Sequence, residues 1–290
     1  MPPNDIEQPP MKKIESAAEM SAVTAELRAA GKTVALVPTM GALHAGQEAL
    51  IRAAAAKADV VVVSIFLNPL QFGPSELVER YPRSPVEDLA MCAAAGVPFV
   101  FMPPLELMFP RGHASFVSEE GTSRSLCGAS RPGYFRGVTT VMAKLFNIVR
   151  PNFVCFGQKT AQRAAVVRKM ADELSFGVEV ILVPTVRDAD GLAWGVRNRD
   201  FTTSQRQEAL ALSKALKRAK EMADGGVRSP DRLIAEATHI LGQHRRVRVI
   251  YVAIVDGLTM ETMREVVRGK SMLAISAWID EVRLIDNVIL

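Results

Sequence analysis

Short apolar runs alternate with helical segments between residues 33 and 183, and this alternation constrains the fold more than any other feature. The clearest run, VVVVSIFL at 60–67, is rich in β-branched residues, which is typical of a strand covered on both faces. An alternation of strands and helices predicts a parallel sheet with helices on both faces. The other predicted strands are 33–37, 98–102, 153–156 and 178–183, and the predicted helices are 16–31, 42–57, 87–95, 137–150 and 159–174.

The pattern changes after Pro184, and this change predicts a second domain. Two helical patterns come first, at 204–223 and 230–243, and three strand-like runs follow, at 247–255, 272–279 and 282–290. We therefore expect three parts: a loose proline-rich arm at 1–10, an α/β domain at 11–185 and a smaller α+β domain at 186–290.

Composition excludes several classes of protein. The 290 residues are 49% hydrophobic and carry a net charge of +4, which argues against overall disorder. The longest apolar run is far short of the ~20 residues that a bilayer requires, and we expect no membrane partner and no signal peptide. A diffuse charge of +4 gives no reason to expect nucleic acid. Three widely spaced cysteines predict neither a metal cluster nor a disulfide framework, and they favour a reducing compartment.

The first candidate site is the stretch VPTMGALHAGQ at 37–47, between a strand and a helix. Gly41 and Gly46 let the backbone turn tightly and approach a ligand closely. His44 lies at the start of the helix, where free N–H groups and the helix dipole favour an anion. The alternative for His44 is a purely structural helix cap.

Two further candidates follow the strand at 60–67. Gln71, in SIFLNPLQFG at 64–73, can donate and accept hydrogen bonds, which suits a hydroxy acid, although a solvated turn residue is the alternative. Asp88, in YPRSPVEDL at 81–89, is predicted in the first turn of a helix. It either holds a Mg²⁺ ion that arrives with a nucleotide or simply interacts with the helix dipole.

Two basic segments come after later strands. In FGQKTAQR at 156–163, Gly157 turns the chain and Lys159 opens a helix, where its charge suits a phosphate. In VPTVRDADGLAWGVRNR at 183–199, Arg187, Arg197 and Arg199 form a basic loop that would neutralise a triphosphate and its leaving group. Solvated side chains are the alternative for each of these cations.

These segments, with FRGVTTV at 135–141 and IVRPNFVCFGQK at 148–159, resemble the pantothenate synthetase (pantoate–β-alanine ligase) family in order and spacing. The resemblance covers nearly the whole first domain and extends weakly to RLIDN at 283–287. It implies a Rossmann-like nucleotidyltransferase domain, a C-terminal lid domain and a cytoplasmic homodimer. The implied enzyme uses ATP and Mg²⁺ to convert a carboxylic acid to an acyl adenylate, from which an amine displaces AMP.

The resemblance also implies a role for each matched residue. His44, Lys159 and Arg197 would be catalytic, Gln71 and Arg163 would bind the acid, and Asp88 would hold Mg²⁺. The implied ATP-binding residues are Met40, Gly41, Gly46, Gln47, Gly157, Val186 and Gly195.

Several positions depart from the family pattern. The second histidine of H-x-G-H is Gln47, the K-D-Y-Q-Q segment ends in Arg163 and has Thr160 in place of its aspartate, and the two serines before R-N are Gly195 and Val196. A divergent paralogue that binds a nucleotide or metabolite, with an altered substrate or without synthetase activity, is therefore the alternative. Arg163 favours a substrate with an additional anionic group, unless its side chain points to solvent.

Overall fold

The structure is a computed structural model and describes residues 11–73 and 78–290. The predicted arm at 1–10 lies outside the described residues. Two sheets organise the described chain: a parallel sheet of six strands and an antiparallel sheet of three strands. This arrangement confirms the predicted α/β class with an additional α+β unit.

The parallel sheet has the strand order β1-β4-β3-β2-β5-β6. Its strands are β1 (Lys12–Ile14), β2 (Val34–Thr39), β3 (Val60–Ile65), β4 (Phe99–Phe101), β5 (Phe153–Gly157) and β6 (Glu179–Val183). The next two strands in the chain, β3 and β4, lie on one side of β2, whereas β5 and β6 lie on its other side. A crevice therefore opens at the carboxyl ends of β2 and β5, where ligands bind in sheets of this type.

Both faces of the parallel sheet are covered, as the apolar runs predict. Along β2, Leu36 packs into the core on one face, whereas Val37 packs into the core on the other. The covering helices are α1 (Ala17–Ala29), α2 (Ala45–Ala55), α3 (Pro85–Ala94), α4 (Leu105–Met108), α5 (Cys127–Ser130), α6 (Tyr134–Val149) and α7 (Ala161–Glu173).

The sequence predicts the bounds of most of these elements closely. The predicted and observed bounds differ most at the first residues of helices. Ser16 caps α1 by accepting a hydrogen bond from the N–H of Glu19, as the sequence predicts. In contrast, α2 begins at Ala45 and not at residue 42, because residues 42 and 43 donate their N–H groups to a distant carboxylate. The edge strand β1 was not predicted, since three residues carry too little pattern.

The second unit contains α8 (Thr203–Asp224), α9 (Pro230–Gly242), β7 (Val247–Asp256), β8 (Ser271–Ile279) and β9 (Val282–Ile289). The strands pair in the order β7-β8-β9, and both pairs are antiparallel. Leu212, Leu233 and Ile275 belong to the core between the two helices and the sheet. None of the helices in the described ranges is long and apolar enough to cross a membrane.

The two sheets meet where β8 and β9 pack against α7. Ala161 and Ala165 of α7 share an apolar cluster with Met272 and Ala274 of β8. Asn287 on β9 donates to the backbone oxygen of Gln158 (2.8 Å), just beyond β5. The second unit thus reaches the carboxyl edge of the parallel sheet, where the predicted site residues lie.

Candidate active site

The loop between β2 and α2 is held by the carboxylate of Asp88 on α3. Its oxygens accept hydrogen bonds from the backbone N–H groups of Ala42 (2.9 Å) and Leu43 (2.7 Å), and from the Ser84 hydroxyl (3.1 Å). Gly41 has a positive φ of 85°, and a Cβ at this position would lie 3.1 Å from Asp88 Oδ2. The loop therefore needs both a glycine and a buried carboxylate.

These contacts show that Asp88 shapes the loop, whereas its predicted role as a Mg²⁺ ligand stays a prediction. Asp88 is only 2% exposed, and both of its oxygens already accept hydrogen bonds. Mg²⁺ bound with a nucleotide keeps several waters, and its protein carboxylates must reach the phosphates. In the ranges that the structure describes, no group of three or more His, Cys, Asp and Glu side chains could hold a metal ion. We assign Asp88 to positioning the loop.

His44 is the N-cap of α2, and its surroundings favour the neutral ring. Burial, followed by the charges of Lys159 and Arg199, lowers the pKa of His44 to about 4. Its Nδ1 accepts the N–H of Gly46 (3.0 Å), and its ring stacks on Trp194 with centroids 5.6 Å apart. The proton of the neutral ring therefore lies on Nε2, which makes His44 a hydrogen-bond donor rather than a cation.

Gln47 and Gly46 complete the start of α2. The side-chain oxygen of Gln47 accepts the backbone N–H of His44 (3.1 Å), which closes a capping box. A Cβ at position 46 would lie 2.8 Å from Cε1 of His44, so only glycine leaves room for the ring. Gln47 thus has a structural partner here, in addition to facing a cavity described below.

Lys159 follows β5 on the other side of the crevice. Its Nζ donates to the backbone oxygen of Trp194 (2.7 Å). Burial, together with the charges of Arg187 and Arg197, lowers the pKa of Lys159 to about 8. A Cβ at position 195 would lie 2.6 Å from this Nζ, so Gly195 leaves the space that the ammonium group occupies.

A cavity of about 210 Å³ lies between the carboxyl edge of the parallel sheet and β9. We call it the basic cavity, because five cationic side chains line it and no Asp or Glu of the described chain does. The cations are Arg131, Lys159, Arg163, Arg197 and Arg283. Predicted site residues that share this lining are Met40, Gln71 and Gly195. Such a lining suits an anionic ligand.

A second, inner cavity of about 110 Å³ adjoins the basic cavity. The predicted residues Met40, Gln47, Gln71 and Arg163 line it, together with apolar side chains of α6 such as Val141 and Leu145. Three buried polar atoms have no hydrogen-bond partner within the described ranges: Ser64 Oγ, Gln71 Oε1 and Arg163 Nε. Buried polar atoms without partners are costly, so this cavity is suited to a small polar ligand.

The structure does not bring all of the predicted residues into these cavities. Neither lining includes Gly41, His44, Gly46, Asp88, Gly157 or Val186. His44 remains close, since it stacks on Trp194, the neighbour of Gly195. The backbone oxygen of Val186 accepts the N–H of Trp194 (3.0 Å), so Val186 shapes the loop.

The basic loop at 183–199 is less uniform than the sequence indicates. Arg187 forms a bidentate ion pair with Asp286 of β9, at 2.6 and 3.0 Å. Arg199 donates to the backbone oxygen of Leu43 (2.8 Å). Arg197 is the member of this trio that lines the basic cavity. Arg187 and Arg199 therefore have protein partners at this edge, and the role of the loop in neutralising a triphosphate stays a prediction.

The lining residues that were not predicted include Arg131, Tyr134 and Arg283. Arg131 and Tyr134 lie in a loop and at the start of α6, where no local pattern distinguishes them from surface residues. Arg283 begins the RLIDN segment, whose resemblance to the family was the one signal that could have identified it.

Comparisons with known proteins agree with this geometry. The model of the family Pantoate-beta-alanine ligase matches residues 12–289. A pantothenate synthetase of Moorella thermoacetica is 45% identical over 280 residues, which cover 97% of this chain and 99% of the relative. A relative from Heliobacterium modesticaldum is 46% identical over 279 residues, covering 96% and 99%.

Solved structures give the same result. The pantothenate synthetase of Thermus thermophilus superposes with a TM-score of 0.90 and 39% identity, covering 96% of this chain and 99% of that chain. The pantoate-beta-alanine ligase of Francisella tularensis, complexed with beta-gamma ATP and beta-alanine, has a TM-score of 0.79 and 26% identity, covering 96% and 97%. The chain belongs to the pantoate–β-alanine ligase family, the ATP-dependent pantothenate synthetases.

Proposed function

We propose that this chain is an ATP-dependent ligase that joins pantoate to β-alanine through an acyl adenylate. The observation that carries the proposal is the basic cavity at the crevice between β2 and β5, with Lys159 and Arg197 in its lining and His44 beside it. The inner cavity offers a small acid a place next to these groups. The alternative of a binding protein without synthetase activity gains no support from the relatives, which are pantothenate synthetases.

The first step would form the acyl adenylate. A carboxylate oxygen of the acid attacks the α-phosphorus of ATP, a new O–P bond forms, and the bond to the bridging oxygen breaks to release pyrophosphate. Negative charge on the phosphate oxygens is stabilised by fixed positive groups. Lys159 and Arg197 would supply charge, whereas the neutral His44 would donate a hydrogen bond from Nε2.

The second step would form the amide. The amine nitrogen of β-alanine attacks the acyl carbon, a C–N bond forms, the C–O bond to AMP breaks, and the amine proton passes to solvent. No enzyme nucleophile is required, because activation by AMP already provides the leaving group. The protein contributes alignment of the reactants and exclusion of water.

ATP would lie along the loop after β2 and the start of α2. On the β2 side of the crevice, ATP would contact Met40, Gly41, Gly46 and Gln47. On the β5 side, it would contact the segments that contain Gly157, Val186 and Gly195. Mg²⁺ would arrive with ATP and be held mainly by the phosphates and water.

Positions that depart from the family pattern have partners of their own in this chain. Thr160 Oγ1 donates to the backbone oxygen of Gly157 (3.0 Å) and closes the turn before α7. Gly195 makes room for the ammonium of Lys159, and Gln47 caps α2. These contacts support an ordered active site. We further propose that the enzyme is a cytoplasmic homodimer, as the family resemblance implies, and light scattering of the purified protein tests the dimer.

ATP–pyrophosphate exchange with pantoate tests the proposal, and mass spectrometry of the amide product tests the second step. We expect both activities in the wild type. Replacing Lys159→Met should lower kcat/KM for exchange by about 10²- to 10³-fold, on the scale of other single groups that stabilise a developing charge. Lys169→Met is the matched control, because Lys169 is exposed on α7 and pairs with Glu173. Absence of exchange and amide in the wild type would overturn the proposal.

A further inference from the structure

Arg163 lies where the basic cavity and the inner cavity meet. Its side chain lines both of them, and among the described residues it is the only cation in the lining of the inner cavity. Its Nε is buried and has no hydrogen-bond partner in the described part of the chain. Because a buried donor without a partner is costly, a ligand group that is negatively charged and accepts a hydrogen bond is favoured here. The junction of the two cavities therefore suits the carboxylate of an acid.

The rest of the inner cavity suits the uncharged part of such an acid. Gln71 Oε1 can only accept a hydrogen bond, and it too is buried without a partner in the described ranges. A hydroxyl group of pantoate would donate to it. Apolar side chains, including Val141 and Leu145, form the wall on the α6 side and leave room for a carbon skeleton. The acid would thus lie with its carboxylate at Arg163, towards the basic cavity that Lys159 lines.

Tyr134 fixes the direction of the Arg163 side chain. The hydroxyl of Tyr134 accepts a hydrogen bond from Nη2 of Arg163 (2.5 Å), which leaves Nε of the same guanidinium available. Tyr134 is the first residue of α6 and directly follows Gly133, whose φ is 79°. Its ring also contacts the guanidinium of Arg131, whose Cζ lies 4.4 Å from the ring centroid. The backbone of α6 and the contact with Arg131 therefore hold the hydroxyl in place for Arg163.

We propose that Tyr134 is a positioning residue for the acid, and that its hydroxyl holds Arg163 so that Nε faces the carboxylate of pantoate. This role rests on the proposed function, since it takes pantoate as the acid. Tyr134 lines the basic cavity but not the inner cavity, so it would act on the bound acid through Arg163. The effect of a side chain that acts through another disappears when the other is removed.

A double-mutant cycle in ATP–pyrophosphate exchange tests the proposal. Tyr134→Phe keeps the ring and removes the hydroxyl, and we expect kcat/KM for pantoate to fall about 10-fold, while the KM for ATP changes by less than about 2-fold. Arg163→Met should lower kcat/KM for pantoate by about 10- to 100-fold. In the Arg163→Met background, Tyr134→Phe should change this quantity by less than about 2-fold.

Tyr251→Phe is the matched control, because it also removes the hydroxyl of a partly buried tyrosine. That hydroxyl contacts Sγ of Cys127 (3.2 Å), and Tyr251 lines neither the basic cavity nor the inner cavity. The control should leave kcat/KM for pantoate within about 2-fold of the wild type. Equal losses in Tyr134→Phe and Tyr251→Phe would overturn the proposal, and so would a full 10-fold loss from Tyr134→Phe in the Arg163→Met background.

The same variants, titrated with pantoate by calorimetry in the presence of a non-hydrolysable ATP analogue, separate this role from the ligase activity. Changes in Kd that depend on Arg163, without exchange in the wild type, would reject the proposed function alone. Exchange in the wild type, with independent effects of the two substitutions, would reject the role of Tyr134 alone.

Discussion

His44 shows how the surroundings of one residue decide its chemistry. Nothing in the local sequence says whether this imidazole is charged. In the folded chain, Nδ1 accepts a backbone N–H, and burial near Lys159 and Arg199 lowers the pKa to about 4. The ring is therefore a neutral donor throughout the physiological range of pH.

A pH dependence of stability follows from this pKa. Since the folded value lies below the ordinary value of 6.5, the unfolded chain binds more protons between these two pH values. The contribution of His44 to stability is complete above pH 6.5 and decreases as the pH falls towards 4. We expect the difference in free energy of unfolding between wild type and His44→Asn to shrink over this range, measured by urea denaturation at several pH values. A constant difference would contradict the assigned pKa.

For Arg163, tertiary contacts decide the direction of the side chain. The sequence indicates a cation at this position but not its direction, and pointing to solvent was the alternative. The structure places its guanidinium in the lining of both cavities. The orientation of Arg163 depends on Tyr134 at the start of α6, whose hydroxyl accepts a hydrogen bond from the guanidinium. Tyr134 was not among the predicted residues.

At the scale of elements, α3 determines the shape of the loop before α2. The sequence suggested two roles for Asp88 of α3, a Mg²⁺ ligand or a carboxylate that interacts with the helix dipole. The structure shows a direct contact instead, in which the carboxylate accepts two backbone N–H groups. Hydrogen bonds across 45 and 46 residues leave no local pattern, so the true start of α2 could not be predicted.

Replacing Asp88→Asn should therefore lower both the stability of the protein and its affinity for ATP. The amide can accept through one oxygen only, so one loop N–H loses its partner, and we expect a loss of about 1–3 kcal/mol in the free energy of unfolding. The KM for ATP should rise, whereas the Mg²⁺ concentration that gives half-maximal exchange should not change. Ser84→Ala, which removes only the hydroxyl contact, should have a smaller effect on both quantities. A large shift in the Mg²⁺ requirement alone would restore the metal role.

Most elements of the parallel sheet could be predicted, because burial on both faces imposes a continuous apolar composition on each central strand. The strand at 60–67 is the clearest example, and β3 occupies 60–65 of it. The ends of elements were less predictable. Residues 42 and 43 have helix-compatible side chains, yet their backbone N–H groups bond to another helix.

At the scale of the whole molecule, β9 completes the basic cavity. Its Arg283 lines the cavity, Asp286 pairs with Arg187, and Asn287 holds the turn that contains Lys159. The second unit therefore contributes side chains to the site that the first unit forms. The lid role that the family resemblance implies for this unit stays a prediction.

Removing the ion pair between Arg187 and Asp286 should show how much the contact between β9 and the loop after β6 contributes to stability. Asp286 is 4% exposed and Arg187 31% exposed, so the pair is only partly screened by solvent. Asp286→Asn should lower the free energy of unfolding by about 2–4 kcal/mol, because it leaves a partly buried guanidinium without its charge partner. Glu236→Gln is the control, since its pair with Arg218 is more exposed and should contribute less than about 1 kcal/mol. Equal losses in the two variants would show that the junction contact is unimportant.

The sequence by itself determined the α/β class, the positions of the main strands and helices, and the family, because these depend on patterns within short segments and on motifs in a fixed order. Only the tertiary structure decided which of the matched residues line the basic cavity. Lys159, Arg163 and Arg197 line the basic cavity, whereas Asp88 and Arg187 are engaged by distant parts of the chain. The physical reason is that the role of a charged side chain depends on its partners, and these partners lie tens of residues away in sequence.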